Sequence, residues 1–536
     1  MTMRYPSFWR ALYIALVATC LVCAACTGSS QPTVITRTTV AQGELQGVEE
    51  GGLGKFKAIP YALPPVDSLR WHEPVALDHW EGVYLADHYA PKPPQKVRVF
   101  PGLDPPQYSE DCLYINVVTP ATRRNQGLPV MVWIHGGGFN IGGYQEMPGD
   151  FLARRGVVFV SIAYRTGALG FLALPELSAS SPRGISGNYG LMDQIMALRW
   201  VNDNIAAFGG DPGRITIFGS SAGAISASML CASPLAKGLF QQVISQSGGS
   251  FCPVGGERHN FSTILDLAGA EAYGLEFMHR VGARSLDELR RMDPMTWVDD
   301  ERSTGVGGFW PCVDGYVLTG DQYTLYEQGE YSDVNVLLGT TSDEGTMFCQ
   351  PSSVAAYRAE VQEEFGPWAP RVLAMYPAST EEETFCARSD IFRETAFAWP
   401  TFAWATLQQS TGRGRVYMYY FDQPSGAVEV PGPQRGAAHS TEMGYVFGTL
   451  WWKYNRADQY LSDLMMTYWT NFAKTGDPNV GDSPRSTDSL PYWPPFDLNQ
   501  PSVMLLKDST ALISLPHREE LALMDEFFRW KRNGRQ

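Results

Sequence analysis

The hydrophobic pattern along the chain changes period many times. From Thr33, apolar residues alternate with polar ones (Val34, Ile35, Thr38, Val40) and predict an edge hairpin that ends in the Gly51-Gly52 turn. Phe56 to Ala62, followed by Pro64-Pro65 and Leu69-Arg70-Trp71, reads as an irregular path, because proline cannot donate to a ladder. Residues 91–109 are proline-rich and predict a surface loop. Glu110 to Val118, Leu128 to Ile134 and Val157 to Ala163 then give three strands. Gly190 to Asn204 has helical spacing, with Leu191, Ile195, Leu198 and Val201 on one face. A turn at Phe208 to Pro212 leads to a strand ending in Ile215, Ile217 and Phe218, and small residues suited to a helix follow. Leu239 to Ser247 supplies one more helix-to-strand step, and Val334 to Leu338 and Val416 to Phe421 are further strands. Strand and helix signals alternate through residues 128–250, the pattern of an α/β protein with a mostly parallel sheet covered by helices. Residues 260–300 and 351–412 are helix-rich and read as insertions on one domain spanning 33–532. No internal repeat is visible.

Composition narrows the class. The 536 residues are 44% hydrophobic and 18% charged, which suits a globular chain with a large core. A net charge of −15 argues against a nucleic-acid surface. Residues 1–26 stand apart: Arg4 and Arg10, an apolar run from Ala11 to Ala25, then Cys26-Thr27-Gly28. The run is short for a membrane span and reads as a secretory signal. Two endings fit: lipidation of Cys26, giving a membrane anchor, or ordinary cleavage after Ala25. Both imply export. Three of the nine cysteines lie there; the other six are Cys112, Cys231, Cys252, Cys312, Cys349 and Cys386. None has CxxC spacing, so no metal site is expected, and an even count in an exported chain leads us to expect disulfides.

The candidate chemistry centres on Gly219-Ser220-Ser221-Ala222-Gly223. A strand that turns sharply into a helix around Gly-x-Ser-x-Gly lifts the serine hydroxyl to a helix N-terminus, where a developing anion is favoured. Upstream, a strand runs into His135-Gly136-Gly137-Gly138-Phe139, whose backbone can aim N–H groups at an oxyanion. A serine hydroxyl needs a histidine base held by a carboxylate, in chain order serine, acid, histidine. Of eight histidines, His439 alone lies on a Gly/Ala-flanked loop after a late strand. The acid lies between, at Asp343 or Glu344, which spacing alone does not separate.

The chain resembles the type-B carboxylesterases, the group that includes para-nitrobenzyl esterases and cholinesterase-like enzymes. Glu110 to Pro120 and Phe208 to Gly223 match the family's two signatures; supporting stretches are Pro60 to Trp71, HGGGF at 135–139, SDEG at 342–345, His439 to Gly448 and Trp469 to Asn479. The resemblance implies an α/β-hydrolase fold with helical insertions over the active site. It implies Ser221 as nucleophile, Glu344 as acid, His439 as base, and an oxyanion hole from Gly137, Gly138 and Ala222. Ser220 stands where many members carry Glu, and no Trp precedes Cys112 in the loop where a choline pocket would place one. A quaternary ammonium needs an aromatic face, so choline esters are not expected as substrates. Pro93 occupies the place of the family's upstream cysteine partner for Cys112.

The expected activity is ester hydrolysis through an acyl-enzyme, with a small-molecule ester as partner and no cofactor. Phe139, Trp310, Phe348, Trp399 and Phe447 are candidate pocket walls, although any of them could equally serve the core. The rival readings are a non-catalytic binding protein on the same scaffold, and amide, carbamate or polyester hydrolysis by the same three side chains.

Overall fold

In the computed structural model, residues 33–96, 107–143, 147–257, 262–298, 308–426, 429–485 and 489–534 are described. The N-terminal segment 1–26 and most of the proline-rich stretch lie outside them. The main sheet has 11 strands. In chain order they are β1 (Val48–Glu50), β2 (Leu53–Pro60), β3 (Tyr114–Thr119), β4 (Leu128–Ile134), β5 (Val158–Ile162), β6 (Gly210–Ser220), β7 (Gln242–Gln246), β8 (Asn335–Thr341), β9 (Val416–Phe421), β10 (Ser502–Leu506) and β11 (Ala511–Ser514). Their spatial order is β11-β10-β9-β8-β7-β6-β4-β5-β3-β2-β1. From β5 to β10 every pairing is parallel; β1, β2 and β3 at one edge and β11 at the other are antiparallel. This is the α/β-hydrolase arrangement that the sequence led us to expect.

The central strands are buried on both faces, as crossover helices require. Val130, Val132 and Ile134 of β4 enter one core with Ile215 and Ile217 of β6. Met131 and Trp133 point the other way and join Phe218 in a second core. Helices α1 (Tyr189–Asn204) and α2 (Ala222–Ala232) cover the first face. The predicted stripe of α1 is buried, but so are Met192, Asp193, Gln194 and Trp200, so this helix lies inside the molecule rather than upon it. The second face is covered by α5 (Arg456–Thr475), which starts where the Asn455 side chain accepts from the N–H of Ala457 and Asp458 and stops at Gly476 with φ 73°. Between β8 and β9, helix α3 (Glu381–Arg393) runs through a π-helical segment, Glu394–Ala398, into α4 (Trp399–Thr411).

Three expectations change. The first hairpin pairs Arg37–Val40 with Gly43–Gln46 and turns at residues 41–42; it forms a separate small sheet with Val83–Leu85. The Gly51-Gly52 turn instead joins β1 to β2. Phe56 to Pro60 is strand, not irregular: a bulge between Phe56 and Ile59, with Ala58 at φ 54°, absorbs the irregularity, and Pro60 sits at the strand end, where it withholds only one donor. The disulfide expectation is also corrected. All six cysteines from Cys112 onward are free. Five are buried, Cys231 in α2 and the others in irregular segments, and burial pushes their thiols up, to about 12 at Cys231 and Cys252 and about 11 at Cys349. They pack as small apolar side chains.

One ion pair is wholly enclosed beneath the sheet's helical cover. Arg165, just after β5, donates from Nε and Nη2 to the Asp193 carboxylate of α1 at 2.8 and 2.7 Å, and its backbone N–H adds a third bond at 3.0 Å. Removing one partner leaves an uncompensated buried charge. Asp193→Ala is therefore expected to destabilise the fold by about 3–5 kcal/mol in urea unfolding. A loss below about 1 kcal/mol would show the pair to be replaceable by water.

Candidate active site

Ser221 lies between the end of β6 and the start of α2 with φ 58° and ψ −126°. A non-glycine residue pays strain there and keeps that conformation only when its surroundings over-determine it. Two hydrogen bonds do so. The Ser221 N–H donates to Gln246 O at 2.9 Å, and the Ile225 N–H donates to Ser221 O at 2.9 Å. Close packing completes the constraint: a Cβ on Gly223, the second residue of α2, would stand 2.0 Å from the carbonyl oxygen of Ile134, so the first turn of α2 can lie this close to β4 only with glycine there. Ser221 is part-exposed, whereas Ala222 is buried.

The HGGG segment runs beside it. His135 is buried and stacks on Tyr164 at 4.2 Å. The Cβ position of Gly136 is 3.2 Å from Ser221 Cβ. Gly137 (φ 100°), Gly138 (φ 61°) and Phe139 (φ 65°) then curl the chain through left-handed conformations. The N–H groups of Asn140 and Ile141 both donate to Gly137 O at 3.1 Å, closing the curl. Among the described residues, the N–H groups of Gly137 and Gly138 donate to no protein acceptor. Free donors gathered next to a helix N-terminus are what an anion seeks.

His439 sits on the loop after β9, and its Nδ1 is hydrogen-bonded to Glu344 Oε2, on the loop after β8. Both side chains are buried. The other Glu344 oxygen accepts from the Thr341 N–H at 2.7 Å, which fixes the carboxylate. Among the described residues, His439 Nε2 has no hydrogen-bond partner. Ser440, at φ 64°, brings its hydroxyl 3.3 Å from that of Ser220, so the residues flanking His439 and Ser221 touch. Phe397, in the π-helical segment, stacks on the imidazole at 4.5 Å, and Phe348 meets its edge at 5.1 Å. Asp343 faces elsewhere: its carboxylate accepts from the Arg435 backbone N–H at 2.8 Å and the Arg435 guanidinium at 3.2 Å. His517 is also accounted for. It lies between the Tyr420 hydroxyl (3.1 Å) and Arg393 (3.3 Å), and burial with that cation holds it down at about 4.

The candidate wall residues divide. Phe348 adjoins the imidazole, and Trp310 is part-exposed and packs on Phe139, itself buried. Trp399 and Phe447 are core residues rather than walls. Trp399 packs on Phe528 at 4.1 Å, and Phe447 fills the second core between Trp133 and Phe218. Burial claims aromatics wherever there is volume to fill, so an aromatic side chain alone does not mark a wall. Sequence reasoning missed Phe397, Gln246 and Glu442. Only Glu442 carried a signal, a carboxylate three residues beyond the histidine. It is fully enclosed; its Oε1 accepts from Gln246 Nε2 at 3.2 Å, and burial, with Glu344 nearby, pushes it up to about 7. Among the described residues, no three His, Cys, Asp or Glu side chains are grouped to hold a metal ion.

Comparison with known proteins decides the family. Residues 30–524 match the Carboxylesterase family. The chain belongs to it. Fumonisin B1 esterase of Sphingopyxis macrogoltabida is 35% identical over 480 residues, covering 85% of this chain and 83% of that protein. Para-nitrobenzyl esterase of Bacillus subtilis is 34% identical over 500 residues (90% and 97%), and mouse cholinesterase 33% over 522 residues (90% and 84%). A solved PNB esterase structure superposes with a TM-score of 0.76 at 32% identity, covering 91% of this chain and 99% of that one. This carboxylesterase is thus an ester-hydrolysing enzyme by family.

The raised Glu442 carboxyl has a thermodynamic signature. A carboxyl protonated more readily when folded contributes its full stability below its ordinary value, 4.5, and loses it as pH rises to about 7. Glu442→Gln removes that loss. The melting temperature of the variant should gain on the parent between pH 5 and pH 8; a gap independent of pH would contradict the raised value.

Proposed function

We propose that this carboxylesterase hydrolyses carboxylic esters in two steps through an acyl-enzyme on Ser221. One observation carries the reading. His439 is anchored at Nδ1 by a buried carboxylate and, among the described residues, keeps Nε2 unpartnered, one residue from the Ser440–Ser220 contact. An imidazole held in that way can accept a proton at Nε2 and return it. Apo sites often tighten this contact only with substrate bound. His439 takes the Ser221 proton as the oxygen attacks the ester carbonyl. The N–H groups of Gly137, Gly138 and Ala222 receive the oxyanion. The alcohol departs with the proton from His439. Water, deprotonated by the same nitrogen, then releases the acid and restores Ser221. Glu344 sets the tautomer and balances the imidazolium. Small-molecule esters are the substrate class, as the names of the esterase relatives suggest. With Ser220 before the nucleophile, the site has no carboxylate at that position to favour a cationic alcohol.

The leader at residues 1–26 supports export of the mature chain. N-terminal sequencing of the protein from a bacterial host should find a start near residue 26. An intact Met1 would end that reading.

The triad reading is tested with para-nitrophenyl acetate. Ser221→Ala should abolish turnover. Glu344→Gln should cost about 10³–10⁴-fold in kcat, as when a triad carboxylate becomes an amide. Asp343→Asn keeps an acceptor for Arg435 and should lose less than about tenfold. Full activity in Ser221→Ala, or the reverse ranking of the two carboxylates, would refute the assignment.

A further inference from the structure

The acid and base stand on different loops; the continuous ladder between β8 and β9 ends at Thr341 and Phe421, and one isolated parallel bridge, Asp343 with Ala438, follows it. Beyond that register, a small set of polar contacts must fix one loop against the other. The Asp343 N–H donates to Ala437 O at 2.9 Å, and the Ala437 N–H donates to Ser342 Oγ at 2.8 Å. Arg435 adds the charged contacts. Its backbone and guanidinium donate to both oxygens of Asp343, and the same guanidinium donates to both oxygens of Asp390 at 2.9 and 2.7 Å. Asp390 belongs to α3, and Arg393 of that helix donates to Asp390 at 2.9 Å and to Ser342 O at 3.2 Å. The helix therefore grips the acid loop directly and the base loop through Arg435.

Burial decides how much the grip matters. The Arg435 side chain is 37% exposed, and a pair with two exposed partners would count for little. Asp343 is 2% exposed, so its charge depends on the partner. Without Arg435, a buried carboxylate adjoining Glu344 in the chain would lack compensation and would draw water or neighbouring donors into the loop. Both carboxylate oxygens of Asp343 accept from Arg435, and neither from His439.

Resting on the triad reading, we propose that Arg435 is a positioning residue: by clasping Asp343 and Asp390 it holds the Glu344 loop in register with the His439 loop. Its action runs through the Glu344–His439 hydrogen bond, so its effect should vanish when that bond is already lost.

A double-mutant cycle on the mature protein tests this, with single-turnover acylation by para-nitrophenyl acetate as the readout. Arg435→Ala should lower the acylation rate and kcat by at least about tenfold, the scale of a small misplacement of reacting groups, with KM changed less than about threefold. In the Glu344→Gln background the same change should cost less than about twofold. Arg435→Lys, which keeps the charge but loses the two-sided fork, should fall between. An unchanged rate in Arg435→Ala, or an equal fold-loss in both backgrounds, would overturn the proposal. Should Arg435→Ala not fold, Arg435→Gln and Arg435→Lys run through the same cycle with the same criteria. If Glu344→Gln itself retains full activity while Ser221→Ala is dead, the carboxylate assignment fails, and Arg435 with it. If Ser221→Ala is active, the triad reading fails as a whole.

Discussion

The geometry of the site depends on how closely α2 approaches β4. Ile134 and Gly219 are paired neighbours in the sheet, and Gly223, in the first turn of α2, packs against the Ile134 carbonyl. Nothing larger than hydrogen fits there. The strand must therefore turn into the helix within one residue, and that residue, Ser221, takes a conformation side chains rarely adopt. The same approach brings the HGGG curl alongside, because it grows from the end of β4. Strain, a lifted hydroxyl and gathered N–H donors thus share one cause, the missing side chains at a crowded crossing of strand and helix.

Much of this was legible in the chain. β4 and β9 begin and end where the apolar runs do, because a strand buried on both faces leaves an unbroken hydrophobic signature. The serine turn and the HGGG run were legible for a related reason: glycine at those spacings has few other uses. The choice between Asp343 and Glu344 was not, since the two are adjacent and alike. What separates them is Arg435, some ninety positions away in the chain, which claims one carboxylate and leaves the other. The aromatic walls failed at Trp399 and Phe447 because a ring in the core and a ring in a cleft look the same in sequence. The cysteine count failed similarly. Its evenness says nothing about distance, and the thiols remain unpaired.

The imidazole of His439 is unusually enclosed. Phe397 covers one face, Phe348 an edge, and two buried carboxyls, Glu344 and Glu442, lie near it. Phe397 is presented by the π-helical stretch between α3 and α4, a widening that helices often reserve for places where a side chain must be aimed. Low dielectric strengthens each contact around the ring and raises the cost of any left unmade. The proposed proton transfer therefore takes place in surroundings arranged beforehand, with little solvent to reorganise.

The sheet order has one more consequence. Strands β6, β7, β8 and β9 are successive parallel neighbours, yet the chain leaves the sheet after Gln246 and after Thr341 and re-enters it in the adjacent slot at Asn335 and at Val416. Whatever those excursions contain, the strand ends they join stay one ladder spacing apart. Most of each excursion could lengthen, shorten or be replaced in the course of descent without shifting the core geometry. A lineage built this way can change what it accepts by rewriting its loops while the machinery underneath is inherited intact.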